Sequence, residues 1–258
     1  MLPALFVGHG SPTNALDSNA YTSGWRALGL SLPRPRAIVA ISAHWYTRGT
    51  FVTANVAPPT IHDFGGFQQE LYEVSYPAPG SPALAAELVS LLAPIKVIEA
   101  SDWGLDHGTW SVLVHTYPRA DIPIVQLSID GTQPPKFHYA IGQALARLRR
   151  EGVLVFGSGG VVHNLGRLAR SGPAPTPAWA QQFDDWVRAC VASGEHAPLI
   201  DYASRGESAA LSVPTPEHYL PLLYVLGTQQ PGERVTVPVS GFDLGSLSMA
   251  SFVVGAAT

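Results

Sequence analysis

The chain has 258 residues, with 15 Lys or Arg against 19 Asp or Glu and a net charge of -4 when histidine is neutral. A composition that is 46% hydrophobic and only 13% charged excludes an intrinsically disordered chain and predicts a globular protein with a large core. The acidic balance offers no basic surface to nucleic acid or to an anionic membrane.

Short apolar runs alternate with helix-like segments along the chain. The runs are rich in Val, Ile and Leu with little alternation, which predicts strands covered on both faces. They comprise residues 4–7, 37–41, 95–98, 122–127 and 153–156. Capping residues and prolines mark helices at 82–92, 135–151, 177–193 and 215–226, and two late strands at 235–239 and 248–254 extend or edge the sheet. The pattern predicts one α/β domain over residues 1–258, with a mostly parallel central sheet flanked by helices on both faces.

Three local features indicate the setting of the protein. The apolar run at residues 2–7 has no basic flank and is too short for a secretory signal or a membrane span, so we predict a cytoplasmic protein. Cys190 alone cannot form an internal disulfide and falls on the predicted helix 177–193, where we expect it to be buried. Arg147, Arg149 and Arg150 end the helix 135–151, where we expect them to complement its dipole.

Two segments interrupt the alternation of strands and helices. Residues 55–80 and 171–177 are rich in Pro and Gly, yet they carry or flank apolar residues rather than the charge and serine of a linker. Long irregular loops in compact domains are often functional. We therefore predict that the first of them forms a wall or lid of a site.

Histidines follow the predicted strands. His9, His44 and His163 come after the first, second and fifth strands, and His218 falls in the first turn of the helix predicted from residue 215. Ligands of open α/β sheets bind beyond the carboxyl ends of the strands, so these side chains should share one crevice. A single histidine is as often an ordinary core residue as a ligand, but four placed in this way favour a site for zinc or iron.

The other histidines have less distinctive surroundings. His107 follows Asp106 in a loop that leads into a helix, and it is a candidate for binding substrate or an oxygen species. His62 lies in the loop 55–80, where it is a candidate for the pocket mouth. We interpret the remaining ones as structural or surface residues: His115, His138 and His196.

Other catalytic patterns do not fit this chain. The glycine-rich run at 157–160 lacks the Lys-Ser/Thr of a phosphate-binding loop and the spacing of a dinucleotide fingerprint. Neither this run nor the segment 8–11 matches the nucleophile elbow of a serine hydrolase. Cys190, in the middle of a helix, is a poor nucleophile.

Six short motifs together resemble the DOPA 4,5-dioxygenase family of class III extradiol ring-cleavage dioxygenases. Each motif is weak alone, but their order and co-occurrence are specific, and the resemblance covers nearly the whole chain. The motifs are Phe6-Val-Gly-His-Gly-Ser-Pro12, Ile41-Ser-Ala-His-Trp-Tyr46, Pro59-Thr-Ile-His-Asp-Phe-Gly-Gly66, Asp106-His-Gly-Thr-Trp110, Val161-Val-His-Asn-Leu165 and Pro216-Glu-His-Tyr-Leu-Pro-Leu222.

The resemblance implies a role for each histidine. It makes His9, His44 and His218 metal ligands. It makes His163 either a further ligand or the acid–base residue, and His107 a contact of the catechol or of bound oxygen. The wider superfamily places a glutamate in the third ligand position. Glu217 and His218 are neighbours that point about 100° apart on a helix, so we expect His218 to face the metal and Glu217 either to lie outside or to support the ligands without touching the metal.

The resemblance also implies the reaction. A small-molecule catechol, such as DOPA, would be opened by O2 with a divalent metal, Fe²⁺ for activity and Zn²⁺ as a plausible bound ion, in a monomer or homodimer. Two alternatives stay open: a zinc-dependent hydrolase or lyase at the same site, and a metal-binding protein that has lost catalysis. The ring would be walled by aromatic side chains chosen from Trp45, Phe64, Phe67, Trp110 and Tyr219.

Overall fold

Twelve strands and nine α-helices make up residues 1–169 and 175–255, which are the residues that this computed structural model describes. The strands are β1 Ala4–Gly8, β2 Ala37–Ser42, β3 Tyr46–Thr47, β4 Thr50–Thr53, β5 Val97–Ala100, β6 Ile124–Gln126, β7 Ile129–Asp130, β8 Val153–Gly159, β9 Val235–Val239, β10 Phe242–Asp243, β11 Leu247–Ser248 and β12 Ser251–Val254. The helices are α1 Ala20–Ser31, α2 Gln69–Tyr72, α3 Pro82–Leu91, α4 His107–Thr116, α5 Pro135–Arg150, α6 Ala178–Ser193, α7 His196–Ile200, α8 Glu207–Ser212 and α9 Leu220–Gly227. Most of the predicted loop 171–177 lies outside the described residues.

The central sheet has six strands in the order β6-β2-β8-β1-β12-β9. β6, β2, β8 and β1 are parallel to one another, β12 is antiparallel to β1, and β9 is antiparallel to β12. The mostly parallel α/β fold is confirmed, and both late strands extend the sheet as expected. Because β1, β2 and β8 run side by side in the same direction, their carboxyl ends meet at one edge.

Both faces of the sheet are buried, which explains the unbroken apolar runs. In β1, Ala4 and Phe6 belong to the core on one face, whereas Leu5 and Val7 belong to the core on the other. Helices α5 and α9 cover the first face, and α1 and α4 cover the second. No helix among the described residues is long and apolar enough to cross a bilayer.

Two predicted elements are placed differently in the structure. The strand expected at 95–98 is β5, which pairs with β4 in a separate two-stranded sheet rather than in the central one. The helix expected from residue 215 begins only at Leu220, because the Thr215 hydroxyl donates to the Glu217 carboxylate instead of capping a helix. Pro221, which has no amide hydrogen, fits the first turn of α9.

Helix α1 was not predicted from the sequence, since Gly24 and Gly29 lower its helical propensity. Asn19 and Thr22 nevertheless close a capping box at its start. Gly29 is required by packing: a Cβ at this position would lie 1.9 Å from the carbonyl oxygen of Thr116 at the end of α4. The close crossing of α1 and α4 thereby fixes α4, whose other end carries His107.

Candidate metal and active site

His9 and His44 lie at the carboxyl edge of the sheet, directly after β1 and just beyond β2. The His9 amide donates to the Gly159 carbonyl at 3.1 Å, which continues the ladder between β1 and β8. The His9 carbonyl in turn accepts from the Asn14 side chain. His44 is held in the turn after β2, where its amide donates to the Ser42 hydroxyl at 3.2 Å.

His218 reaches the same edge from the turn that precedes α9, and not from the helix itself. Its carbonyl accepts from the Gly160 amide at 2.8 Å. A Cβ at Gly159 would lie 2.1 Å from that carbonyl oxygen, so only glycine lets the turn approach β8 this closely. The glycine-rich run at 157–160 is therefore explained by close backbone packing beneath a histidine.

The three imidazoles converge. One ring nitrogen from each of His9, His44 and His218 lies within 4.8 Å of the others. The Nε2 atoms of His9 and His44 are 3.2 Å apart. This spacing of three nitrogens is suited to coordination of a single ion.

The Nδ1 atom of each of these three imidazoles lies beside a polar group. His9 Nδ1 lies 3.0 Å from the Ser158 hydroxyl, whose hydrogen is donated to the Gly108 carbonyl. His44 Nδ1 lies 3.3 Å from Asp63 Oδ2, and His218 Nδ1 lies 3.2 Å from Glu217 Oε1. The Ser158 hydroxyl and the Glu217 carboxylate can accept, and the charge of Asp63 favours a hydrogen on the nearby Nδ1 of His44. The ring hydrogen is therefore assigned to Nδ1 in each case, which leaves the Nε2 lone pairs of His9 and His44 facing each other. Two facing lone pairs at 3.2 Å repel each other unless a cation lies between them.

Burial keeps these rings neutral. It lowers the pKa of His9 and of His218 well below the ordinary value of 6.5, and neighbouring imidazoles lower both further. Burial, followed by the charge of His107, lowers the pKa of His44 to about 3. Neutral imidazole is the form that binds metals, so the donor set fits a divalent ion such as zinc or iron.

Asp63 links two of the histidines and was not recognised as a site residue from the sequence. Its Oδ1 accepts from the backbone amide of His107 at 2.9 Å and lies 3.0 Å from the Nδ1 of the same residue. The second contact is electrostatic, because its direction does not suit a hydrogen bond. Burial alone would raise the pKa of Asp63, but the contacts with His107 and His44 outweigh burial and lower it. Asp63 thus stays ionised beside both rings.

The ligand atoms of His44, Asp63 and His107 also lie within 4.8 Å of one another. His44 Nδ1 lies 3.3 Å from the carboxylate in an electrostatic contact, however, and its Nε2 faces that of His9, so this group is not arranged to bind an ion through Nδ1 of His44. We interpret Asp63 as the residue that orients His44 for coordination through Nε2.

His107 is the first residue of α4. Asp106 caps this helix by accepting from the Thr109 amide at 3.2 Å, and Gln126 donates to the same carboxyl group at 2.7 Å. This cap fixes the direction in which His107 leaves the backbone. Its ring centroid lies 3.8 Å from that of His44, so His107 adjoins the ligand group without belonging to it.

His163 lies on the other side of the ligand group. Its ring stacks on that of His218, with centroids 3.4 Å apart and planes inclined by 5°. It is not one of the three converging residues. It is half-buried, and burial lowers its pKa to about 4, so at neutral pH it can accept a proton.

A cavity of about 380 Å³ opens over the five histidines. Its apolar lining comprises Phe64 and Phe67, from the irregular loop 55–80, and four leucines: Leu165, Leu168, Leu244 and Leu247. The expectation that this loop walls the site agrees with the structure. A larger cavity of about 540 Å³ lies between the ends of α1 and α4, and none of the five histidines borders it.

Several predicted pocket residues lie elsewhere. His62 does not line the mouth, because its Nε2 contacts the Val74 carbonyl at 3.0 Å and its ring packs on Trp110. The Trp110 indole donates to the Ile61 carbonyl, so both rings belong to the packing beneath the loop. Trp45 stacks on Trp103, and the hydroxyl of the buried Tyr219 donates to the Leu199 carbonyl.

The three remaining histidines each have a partner away from the site. His115 Nε2 contacts the Asn14 carbonyl at 2.7 Å, His138 Nδ1 contacts the Tyr224 hydroxyl at 2.8 Å, and His196 Nδ1 contacts the Tyr139 hydroxyl at 2.9 Å. Their structural role agrees with the sequence interpretation.

Comparison with known proteins decides which family uses this arrangement. Residues 6–246 match the family described as the catalytic LigB subunit of aromatic ring-opening dioxygenase. The chain belongs to this family. It is therefore an extradiol ring-opening dioxygenase, an oxidoreductase, and the DOPA 4,5-dioxygenase resemblance is confirmed.

Relatives of the chain align over almost its whole length. It is 55% identical to the 4,5-DOPA dioxygenase extradiol of Escherichia coli (strain K12) over 98% of this chain and 95% of that protein. It is 37% identical to the enzyme of the same name from Beta vulgaris, over 96% and 94%. A crystal structure of an uncharacterised Escherichia coli K12 protein superposes with a TM-score of 0.86 at 50% identity, covering 99% of this chain and 100% of that one.

Proposed function

We propose that this dioxygenase opens the ring of a catechol, with DOPA as the first candidate, using O2 and a divalent metal held by His9, His44 and His218. One observation carries the proposal: three neutral imidazoles bring one ring nitrogen each within 4.8 Å of the others, and all three line the same cavity. The names of the relatives support both the substrate and cleavage between carbons four and five.

The charge of the site favours an ionised substrate. Three neutral ligands leave the full charge of a divalent ion in place, which favours a catecholate over the neutral diol. When bound, iron would also supply the redox change that O2 activation requires, whereas zinc has no accessible redox change. The two ions should therefore give the same binding but different turnover.

The protein's own groups manage the protons. His163 is uncharged at neutral pH and borders the cavity, so a ring nitrogen can accept a proton from a catechol hydroxyl and later return it. His107, fixed by Asp63 and by the cap of α4, borders the cavity from the opposite side of the ligand group. Phe64 and Phe67 cover the aromatic ring and exclude water.

The test measures oxygen uptake and the visible spectrum together. Metal-free protein is loaded anaerobically with Fe²⁺, mixed with DOPA and then exposed to air, with a zinc-loaded sample in parallel. We expect oxygen consumption and a yellow ring-opened product in the iron sample only, and neither in His44→Ala. Turnover in the zinc sample without oxygen uptake would favour a hydrolase or lyase. Stoichiometric iron without any turnover of DOPA or simple catechols would favour a metal-binding protein that has lost catalysis.

A second variant tests whether His163 is a metal ligand or the acid–base group. His163→Gln should bind zinc as tightly as the wild type, while its kcat falls by about 10²–10⁴-fold, the usual contribution of a general acid–base group. A matching loss of zinc affinity would instead make His163 a fourth ligand. Cytoplasmic location and a small-molecule partner, in a monomer or homodimer, complete the proposal.

A further inference from the structure

Two serines lie side by side at the carboxyl edge of the central sheet. Ser42 is the last residue of β2, Ser158 lies one residue before the end of β8, and the two are partners across these parallel strands. We refer to Ser42 and Ser158 as the serine pair. Both side chains are fully buried. A buried hydroxyl costs free energy unless it forms hydrogen bonds, so the partners of the serine pair indicate its role.

Ser158 joins a proposed metal ligand to helix α4. Its hydroxyl contacts the Gly108 carbonyl in the first turn of α4, and its oxygen lies 3.0 Å from Nδ1 of His9. A carbonyl can only accept, so the single hydroxyl hydrogen belongs to the contact with Gly108. The oxygen then accepts the Nδ1 hydrogen of His9, which leaves Nε2 of that ring without a hydrogen. One hydroxyl therefore sets both the tautomer of His9 and its position relative to α4.

Ser42 makes a corresponding connection for the second ligand. Its hydroxyl oxygen accepts from the backbone amide of His44 at 3.2 Å. The same hydroxyl lies beside the carboxyl group of Asp106, which caps α4. Burial and the charge of Asp63 raise the pKa of Asp106, and the contact with Ser42 acts in the opposite direction. Ser42 thus connects the turn that carries His44 to the start of α4.

The serine pair reaches α4 only because residue 108 is glycine. A Cβ at Gly108 would lie 2.4 Å from the Ser42 hydroxyl oxygen and 2.9 Å from Cδ2 of the His44 ring. Glycine therefore lets the first turn of α4 approach the ends of β2 and β8 this closely. His107 immediately precedes this glycine, and the same approach brings its ring centroid to 3.8 Å from that of His44.

We propose that Ser42 and Ser158 are positioning residues that hold the ligands His9 and His44 in a fixed relation to the start of α4, and thereby to His107. Neither serine is among the described residues that border the cavity, so both act through the histidines and not on the substrate. The inference rests on the proposed metal site and adds what holds its geometry. Loss of the Ser158 hydroxyl should free the tautomer of His9, whereas loss of the Ser42 hydroxyl should loosen only the turn of His44.

The first test identifies the tautomer of His9 without any metal. Nitrogen NMR of metal-free protein with isotope-labelled histidine, at neutral pH, reports which ring nitrogen carries the hydrogen, and His9→Gln assigns the signals. We expect the hydrogen on Nδ1 in the wild type and in Ser42→Ala, and a population with the hydrogen on Nε2 in Ser158→Ala. A hydrogen on Nε2 in the wild type, or an unchanged tautomer in Ser158→Ala, would overturn the role of Ser158.

The second test measures zinc affinity by competition with a chelator, together with the visible spectrum of the cobalt-loaded protein. Ser158→Ala should lower zinc affinity about 10–100-fold and shift the cobalt bands, as expected when a metal ligand loses its supporting hydrogen bond. Ser42→Ala should lower zinc affinity about tenfold at most. Ser251→Ala is the matched control. It removes a buried hydroxyl on β12 that donates to the Met249 carbonyl, and it should change neither quantity.

The outcomes separate this proposal from the proposed metal site. A wild type that binds no zinc would overturn the metal site itself. Wild-type zinc affinity and cobalt bands in Ser158→Ala, with only the unfolding free energy lowered, would make that serine structural and overturn the positioning proposal alone. Wild-type zinc affinity in Ser42→Ala would remove Ser42 from it. If Ser158→Ala does not fold, the tautomer of His9 in the wild type decides the role of Ser158.

Discussion

Two buried polar clusters lie at opposite ends of the same parallel strands. At the carboxyl end, five imidazoles crowd together and the Nε2 atoms of His9 and His44 face each other at 3.2 Å. At the amino end, the fully buried Arg149 uses all five of its hydrogens: two bind the Glu233 carboxylate and three bind the carbonyls of Leu2, Thr228 and Val254. The arginine cluster is fully paired within the protein alone, whereas the histidine cluster leaves two facing ring nitrogens, to which the proposed cation would bind.

The difference separates stability from function. A satisfied buried ion pair fixes chain segments in place, and here it joins the start of the chain to the ends of α5 and β12. A cluster of ring nitrogens whose lone pairs face one another weakens the folded state unless a ligand occupies it. We therefore expect substitutions in the two clusters to have opposite patterns of effect.

The largest effect should come from a ligand. His44→Ala should lower zinc affinity by more than about 100-fold, beyond the loss expected when only a supporting hydrogen bond is removed. The unfolding free energy of its metal-free form should change by less than about 1 kcal/mol, because the facing lone pairs are relieved. Zinc titration and urea unfolding check the two quantities.

His138→Ala is the matched control for that variant, since His138 is a buried histidine far from the ligand group. It should keep the zinc affinity and lose about 1–3 kcal/mol of stability, because the Tyr224 hydroxyl loses its partner. If both variants lost stability equally, the histidine cluster would not be the weaker region.

The arginine cluster should show the reverse pattern. Arg149→Met should lower the unfolding free energy by about 3–5 kcal/mol, since Glu233 and three carbonyls lose their partner, and should leave zinc affinity unchanged. Arg147→Met, on the same helix, removes an exposed pair with Glu151 and should have no measurable effect. Equal unfolding midpoints for the two variants would show that the buried contacts of Arg149 add nothing to the stability of the folded state.

A smaller effect is expected from the carboxylate that supports the site. Asp63→Asn should weaken zinc binding or lower kcat by about 10–100-fold, because His44 and His107 lose the charge that orients them. Glu70→Gln changes an exposed acid in the same loop and should leave both quantities at wild-type values. Wild-type zinc affinity and kcat in Asp63→Asn would remove Asp63 from the site.

A last comparison uses pH to distinguish the buried histidines His138 and His163, of which only His163 belongs to the histidine cluster, from the arginine cluster. Burial lowers the pKa of His138 and of His163 to about 4, so below 6.5 the unfolded chain binds protons that the folded chain does not. Stability should therefore fall as pH decreases from 6.5 to 4, by about 1.4 kcal/mol per pH unit for each such histidine. Burial raises and Arg149 lowers the pKa of Glu233, with a net decrease, so its contribution is lost only below about 4.5.

Urea unfolding of the metal-free protein between pH 7 and pH 5 measures how the unfolding free energy depends on pH. In Glu233→Gln, the unfolding free energy should depend on pH as in the wild type over this range. In His138→Gln, it should change less steeply with pH. If the pH dependence changed in Glu233→Gln and not in His138→Gln, the ion pair rather than the buried histidine would cause it.

The sequence predicted those site residues that lie next to a recognisable strand. His9 and His44 were found because each comes within two residues of a strand that is visible as an apolar run. Asp63 was missed because it lies in a long loop without periodicity, and only the folded chain brings it to His44. Trp45, Trp110 and Tyr219 were only candidates for contact with the substrate ring, because an aromatic residue next to a motif residue can equally point into the core, as these three do.

The arginine cluster shows the same limit. Three arginines at the end of α5 predict exposed partners of the helix dipole, and Arg147 is exposed. Arg149 is buried because Glu233 and the carbonyl of Val254 come from a part of the chain about a hundred residues away, which no local pattern reveals.

The position of β1 has a consequence for how the protein is made. β1 lies between β8 and β12, so it leaves the ribosome long before either neighbour and has to wait for both. His9 and His218 are about two hundred residues apart in the sequence, and the proposed ion-binding point does not exist until both have docked. Metal uptake should therefore be one of the final events of maturation, and a nascent chain stalled before residue 218 should bind no ion in this geometry. Binding of the ion would then report that the segments carrying His9 and His218 have both docked.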